Sequence, residues 1–351
     1  MAGETPSDRL WLYDRRSPTS RHVAIVDIKS RKTPQAIERI FWTKGLQATL
    51  RVDQAIVATT ERRPSVAEFG NLHGVTLLDG AFLARLDRDA PLHVTRLNEE
   101  ELQNAAGSFP GRFSQNDWKL RLARSRQLLL TDIGYNALNA WLTEGAFFAE
   151  QAMLVSTHRD TAVRLLYLLA SLISLGFDFV SQEFSFDEKA KHYESLLAGL
   201  RFGSSGERRN EQLVALALGL VEAYAPNGRL LAKRINTSVE RELASSGFHI
   251  LADYFVQPSA QADALAVAKD LEKCAYDKDL ISPNGLPIRS KAFIAMLLDF
   301  WSTDRRAYFD HADGGLPPPP VWGHGMNKEA DHIEQPELPL HDSENDWYSS
   351  R

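Results

Sequence analysis

The sequence predicts a small α/β domain at its start, a larger all-α helical domain after it, and a disordered C-terminal tail. Three observations carry that reading. Over residues 9–86, short apolar runs rich in β-branched residues alternate with helix-period segments. From about residue 133 to Trp301, helical periods dominate and no strand signal stands out. Beyond residue 312 the chain is rich in proline and acidic residues, a composition too poor in apolar surface to offset the entropy of ordering. The expected boundaries are 8–93 for the α/β domain, 94–130 for a basic connector, 131–303 for the helical domain and 312–351 for the tail.

Arg9-Leu-Trp-Leu-Tyr-Asp14 reads as the first strand, and Arg15 to His22, with Ser17-Pro18 inside, as a hairpin loop. Val23 to Lys29 is apolar on both faces and reads as a central second strand. Pro34 opens a crossover helix as a good first-turn residue, with Ile37, Ile40, Phe41, Leu46 and Leu50 as its apolar stripe. Val52 to Thr60 is a third strand, Pro64 to Leu72 a second helix, Gly74 to Asp79 a fourth strand, and Gly80 to Leu86 begins a last short helix. This alternation is the pattern of parallel crossover units around a central mixed sheet flanked by helices. The period weakens over 92–110. A basic helix follows over 114–126, with Ser114 or Asn116 as cap. Further helices are expected over 133–155, 160–176, 187–201, 207–225, 259–275 and 287–301. Gly314 to Pro320 reads as a stiff polyproline spacer.

With 351 residues, 44% hydrophobic and 25% charged, the chain has the make-up of a soluble globular protein and the length for two domains. The net charge of −6 argues against an unselective nucleic-acid coat. Its distribution is uneven: residues 1–64 hold 12 Lys/Arg against 7 Asp/Glu, and residues 304–351 hold 4 against 10. A basic front end suits a domain that meets phosphate, and the acidic end suits a solvated appendage. The single cysteine, Cys274, excludes an intramolecular disulfide and fits a reducing, cytoplasmic setting. Met1 to Asp8 has no apolar signal-peptide core. Ala162 to Val180 is the most apolar window, with Arg164 and Asp178 near its ends. It reads as a buried core helix, because a bilayer span needs about 20 apolar residues; no membrane partner is expected.

Asp27 and Lys29 interrupt the apolar second strand. Alternate residues of a strand share a face, so both project the same way from a buried element. Enclosing two charges is costly unless they pair or hold a metal. A carboxylate binds a hard divalent cation, and an ammonium beside it can hold the attacking water; together they suit phosphodiester hydrolysis. A structural ion pair between Asp27 and Lys29 is the competing reading. Both residues sit at the carboxyl end of a parallel strand, where open α/β sheets bind ligands.

The order is a strand ending in Asp14, a hairpin, the Asp27-Ile-Lys29 strand, a crossover helix, Asp53-Gln-Ala-Ile-Val-Ala-Thr-Thr60, a short helix and Gly74-Val-Thr-Leu-Leu-Asp-Gly80. Over about the first 90 residues this series resembles the restriction-endonuclease-like superfamily with a PD-(D/E)xK site, its Mrr-type branch in particular. The resemblance implies Asp14 and Asp27 as metal-binding carboxylates, Lys29 as the catalytic lysine, Mg²⁺ (or Mn²⁺) as cofactor and DNA as substrate. It implies a nuclease of DNA repair, restriction or defence. Glu38, on the crossover helix, is a possible auxiliary group. Family members place a helix and a strand ahead of the position matched by Asp14, whereas 13 residues precede it here. That departure motivates a second expectation: a catalytically silent nuclease fold serving as a DNA-binding or adaptor module.

Arg31 and Lys32, just past the strand, are placed to meet a phosphate backbone. The basic helix with Lys119, Arg121, Arg124 and Arg126 either tracks DNA or is a solvated connector. In the tail, Gln335-Pro-Glu-Leu-Pro-Leu340 resembles the Q-x-x-L-x-[FL] peptide with which bacterial replication and repair proteins grip the sliding clamp. The resemblance implies Gln335, Leu338 and Leu340 as the contacts. No C-x-x-C, H-E-x-x-H, P-loop or G-x-S-x-G pattern is present, so zinc, nucleotide and serine-hydrolase chemistry find no support.

Overall fold

The computed structural model describes residues 9–29, 35–89, 96–107, 117–131, 133–154 and 158–312. Two strands open it, β1 (Arg9–Ser17) and β2 (Ser20–Lys29). Then come α1 (Ala36–Leu50), β3 (Gln54–Thr59), α2 (Pro64–Leu72), β4 (Val75–Leu78) and α3 (Gly80–Asp89). The strands form one mixed sheet in the order β1-β2-β3-β4. The first pair is antiparallel and the other two are parallel. Helices cover both faces. Ile40, Ala55, Val57, Val66 and Val75 pack together on the α1/α2 side. Ala24, Val26, Ile56 and Ala58 pack on the other, with Leu83 of α3 against them.

The hairpin is tighter than the sequence suggests. Arg15 and Arg21, expected in a loop, pair across the two strands, and only Pro18-Thr19 turns. An aspartate from the helical region holds both arginines in the ladder, a long-range partner no local pattern reveals. The stripe expected on α1 is also displaced. Its buried residues are Ala36, Ile40 and Thr43, while Ile37 and Phe41 remain exposed. Phe41 instead meets Phe69 and His73 at the surface, with ring centroids 5.4 and 5.5 Å away.

The rest of the described chain is helical. It comprises α4 (Glu99–Gly107), α5 (Trp118–Thr131), α6 (Tyr135–Met153), α7 (Arg159–Ser181), α8 (Lys189–Phe202), α9 (Glu207–Tyr224) and α10 (Gly228–Ser245). After these come α11 (Phe248–Phe255), α12 (Pro258–Tyr276), α13 (Ile288–Phe300) and α14 (Arg305–Ala312). Asp117 caps α5, accepting from the Leu120 N–H at 3.0 Å, where Ser114 or Asn116 was expected. The helices α4, α10, α11 and α14 have no counterpart among those expected; α10 is largely polar and takes its form from packing on α9. The apolar window becomes α7, the bundle's central helix, flanked by α6 and α12. By length and composition it is the one described helix able to cross a bilayer, but 89% of that window is buried inside the fold. Phe177 stacks on Phe255 at 3.6 Å between centroids, and Trp141, Tyr167, Phe148 and Phe293 are almost wholly enclosed. Each such side chain contributes about 1.5–3 kcal/mol on burial. Of the residues expected to form a disordered tail, 312–351, Ala312 ends α14, and those from 313 onward lie outside the described residues.

Candidate functional site

The carboxyl edge of the parallel strands carries the polar groups from which chemistry was expected. Asp27 lies near the end of β2, paired in register with Val57. Lys29 occupies the last rung, opposite Thr59, at a position of the same parity as Asp27. Asp27 is fully buried, and its two carboxylate oxygens accept from Nε and Nη2 of Arg39 on α1. This bidentate, charge-assisted pair is the strong geometry for an arginine and a carboxylate. It also leaves each oxygen with a fixed donor in a place where an unpaired charge is costly.

Asp14 does not join this corner. Partners across a ladder share a face; Asp14 is opposite His22 and Asp27 is opposite Arg9. Alternation therefore puts Asp14 on the face of Ala24 and Val26, and Asp27 on the face of Ile25. The two carboxylates are also five rungs apart, about 17 Å along the strands. Asp14 is exposed and Asp27 is enclosed. The expectation that they share one divalent ion is corrected on both counts: direction and distance separate them. Among the described residues no group of three or more His, Cys, Asp or Glu side chains is placed to hold a metal ion. Among the described residues, Asp14 and Asp27 do not come together as a site for the cofactor that the resemblance implies.

Other polar groups at this edge have structural tasks. Asp79 accepts from the Phe82 N–H at 2.7 Å and starts α3. Glu61 accepts from the Arg62 and Arg63 N–H groups at 2.9 and 3.1 Å and pairs with the Arg63 side chain. The bonds from Arg63 hold its carboxyl at a pKa of about 2, well below the usual range. Gly80 is needed where it stands, since a Cβ there would meet the Thr60 carbonyl oxygen at 2.6 Å. Glu38 is exposed, as a solvated helix-face residue would be.

Arg39 is the functional-looking residue that sequence reasoning missed, although a signal for it exists. It falls within the stripe Ala36, Ile40, Thr43, at helical spacing on the face turned to the sheet. A cation in a buried stripe beside a strand with a buried aspartate is a pair waiting to be matched.

A second polar cluster ties sheet to bundle. Asp178 of α7 is fully buried. It accepts from the Tyr13 hydroxyl at 2.7 Å and from Arg15 Nη1 at 3.2 Å, and Arg21 Nε lies 2.7 Å from its Oδ2. Arg21 Nη2 also donates to the Asp178 backbone carbonyl at 2.7 Å. Burial, and then the Asp178 charge, push the Tyr13 phenol well above its ordinary range, so it stays protonated and donates.

The basic helix α5 has less free charge than its sequence implies. Arg121 donates to Glu144 at 2.5 Å and lies over the Phe147 ring. Arg126 bonds the Tyr276 hydroxyl and Glu99. Lys119 and Arg124 are exposed. Two of the four cations are thus part of the bundle's framework. Arg31, Lys32, Gln335, Leu338 and Leu340 lie outside the described residues.

What the corner can do follows from its closure: among the described residues it holds a sheet to its crossover helix, with the Asp27 carboxylate enclosed and engaged by Arg39. Comparison with protein-family models, with curated proteins and with solved structures finds no match for this chain.

Proposed function

We propose that the N-terminal domain is a restriction-endonuclease-like module that binds DNA without cleaving it, in a protein of DNA repair, restriction or defence. One observation carries the reading: the carboxylate around which cleavage would be organised is enclosed and engaged at both oxygens by Arg39. The excess of 12 cations over 7 anions across residues 1–64 supports a phosphate partner. The clamp-like peptide Gln335–Leu340 supports an adaptor role through a bacterial sliding clamp. A second reading, phosphodiester hydrolysis, is favoured by Asp27 and Lys29 sharing the carboxyl edge of β2 beside β3.

The test uses the purified full chain with linear duplex, circular duplex and single-stranded DNA, with Mg²⁺ or Mn²⁺, beside Lys29→Ala. Binding that weakens steeply with salt, and intact DNA throughout, is the expected result. Metal-dependent cleavage that disappears in Lys29→Ala establishes the second reading instead. A chain that neither retains nor cuts DNA, even at low salt, overturns both.

A further inference from the structure

The helices α9 and α10 form an antiparallel hairpin that packs chiefly on itself, with α8 as its next neighbour. Its loop is tight: Asn227 adopts a left-handed conformation, φ 55°. A Cβ at Gly228 would meet the Val221 carbonyl oxygen at 2.3 Å. Helix α9 is apolar almost without break from Leu213 to Val221. One arc, with Val214, Leu218 and Val221, is half-buried. A second arc, with Leu213, Leu216, Leu220 and Tyr224 at spacings of three and four, is open; Leu216 is 63% exposed and Tyr224 84%. A helix apolar around most of its girth is normally covered. On antiparallel helices, the 3.6-residue period brings Leu231 and Ile235 of α10, also exposed, to the same side of the hairpin.

We propose that this face is a dimerisation surface and that its occupant is the same hairpin of a second copy of the chain. Size is the first argument. These six side chains leave roughly 600 Å² of apolar surface open, and two copies together about 1,200 Å² before any polar rim, the threshold of a specific interface. A patch of about 600 Å² is at the upper end of what a monomer exposes, and patches of that rank are often functional. Self-complementarity is the second. Two copies of α9 related by a two-fold axis between Leu216 and Ala217 run antiparallel. Leu213 then meets Leu220 of the other copy, and Leu216 meets Ala217. Tyr224 meets Arg209, whose wheel position lies on the same arc and which offers a cation to the ring. A parallel pairing would instead set Arg209 against Arg209. The arrangement closes on itself, as an isologous interface must.

Sedimentation velocity of the full chain, from about 1 to 100 µM, should show a dimer. Leu216→Glu with Leu220→Glu should raise its dissociation constant at least 10-fold. The far-UV circular dichroism should stay unchanged, because both side chains are exposed in the single copy. Leu216→Gln provides a milder variant with the same direction. Register is tested by oxidation: Leu213→Cys mixed with Leu220→Cys should give a mixed disulfide dimer, and neither alone should. Like positions lie more than about 7 Å apart across the axis, beyond disulfide reach. The native Cys274 is buried. A wild-type monomer throughout overturns the proposal, whether the face is then covered by residues 318–351 or by phosphatidylcholine vesicles in a flotation assay. A dimer indifferent to the glutamates overturns it equally.

Discussion

Asp27 and Asp178 are both fully enclosed, and the two sites meet the same difficulty in different ways. Asp27 has one cation, Arg39, 12 residues away across a single crossover. Asp178 has two arginines and a phenol, all 157–165 residues away on the opening hairpin. The first pair stitches a strand to its own helix. The second fastens the sheet to the bundle. A buried ion pair with one partner is replaceable by apolar side chains of similar volume, whereas a hub with several donors is not, because each donor left behind is a new unpaired group.

The largest expected effect is therefore at the hub. Asp178→Ala leaves the Arg21 side chain, 2% exposed, with no carboxylate. The loss should be about 3–5 kcal/mol, as for other broken buried pairs. Chemical denaturation measures it, and a loss under about 1 kcal/mol would show that the joint does not depend on this residue. Next comes the corner. Arg39→Met should destabilise by about 3 kcal/mol, the low end of the same range because the Arg39 side chain keeps 18% of its exposure. Adding Asp27→Leu should restore stability to within about 1 kcal/mol of wild type, since no donor is then left over. The matching double change, Asp178→Leu with Arg21→Met, should not recover, because the Tyr13 hydroxyl and Arg15 both lose the Asp178 carboxylate. Equal recovery at both places would erase the contrast.

The smallest effect lies just behind the hub. Gln261 accepts from Arg15 through its carbonyl at 2.8 Å, and its side-chain amide lies 3.2 Å from His192 Nδ1. Burial lowers the His192 pKa, and Asp187 opposes that only in part. The fold thus favours neutral imidazole and binds fewer protons there than the unfolded chain. Its contribution is whole above the ordinary histidine value of about 6.5, and falls away as pH drops below that toward the lowered folded value. His192→Gln should flatten the stability difference between pH 5 and 7, read as the wild-type-minus-variant shift in melting temperature. An unchanged slope would place the titration elsewhere.

The strand and helix order of the first 90 residues was legible because periodicity and punctuation are local. Pro64 opens α2 at the residue expected, and β3 and β4 fall within a residue or two of the runs that announced them. The buried charge at Asp27 was legible as a problem, but the ion pair foreseen joined it to Lys29, and the fold pairs it with Arg39 instead. Arg39 was passed over, because it looks like any helix-face cation until the stripe is phased on Ala36 and Ile40 rather than Ile37 and Phe41. Asp14 was grouped with Asp27 by order along the chain, which carries no information on which face a strand position takes until the register is known. Helix α10 was passed over because Asn236-Thr-Ser-Val239 has weak helix propensity, and only contact with α9 decides it.

By itself, the amino-acid order determined the alternation of elements, the apolar core of α7 and the need for some partner at each enclosed charge, since these follow from spacing and the cost of dehydration. Tertiary structure alone decided which cation answers which anion, that Asp14 turns away from Asp27, and that the hairpin of α9 and α10 leaves a leucine face open. Those outcomes depend on register and on contacts between residues distant in the chain, which no window of neighbouring side chains encodes.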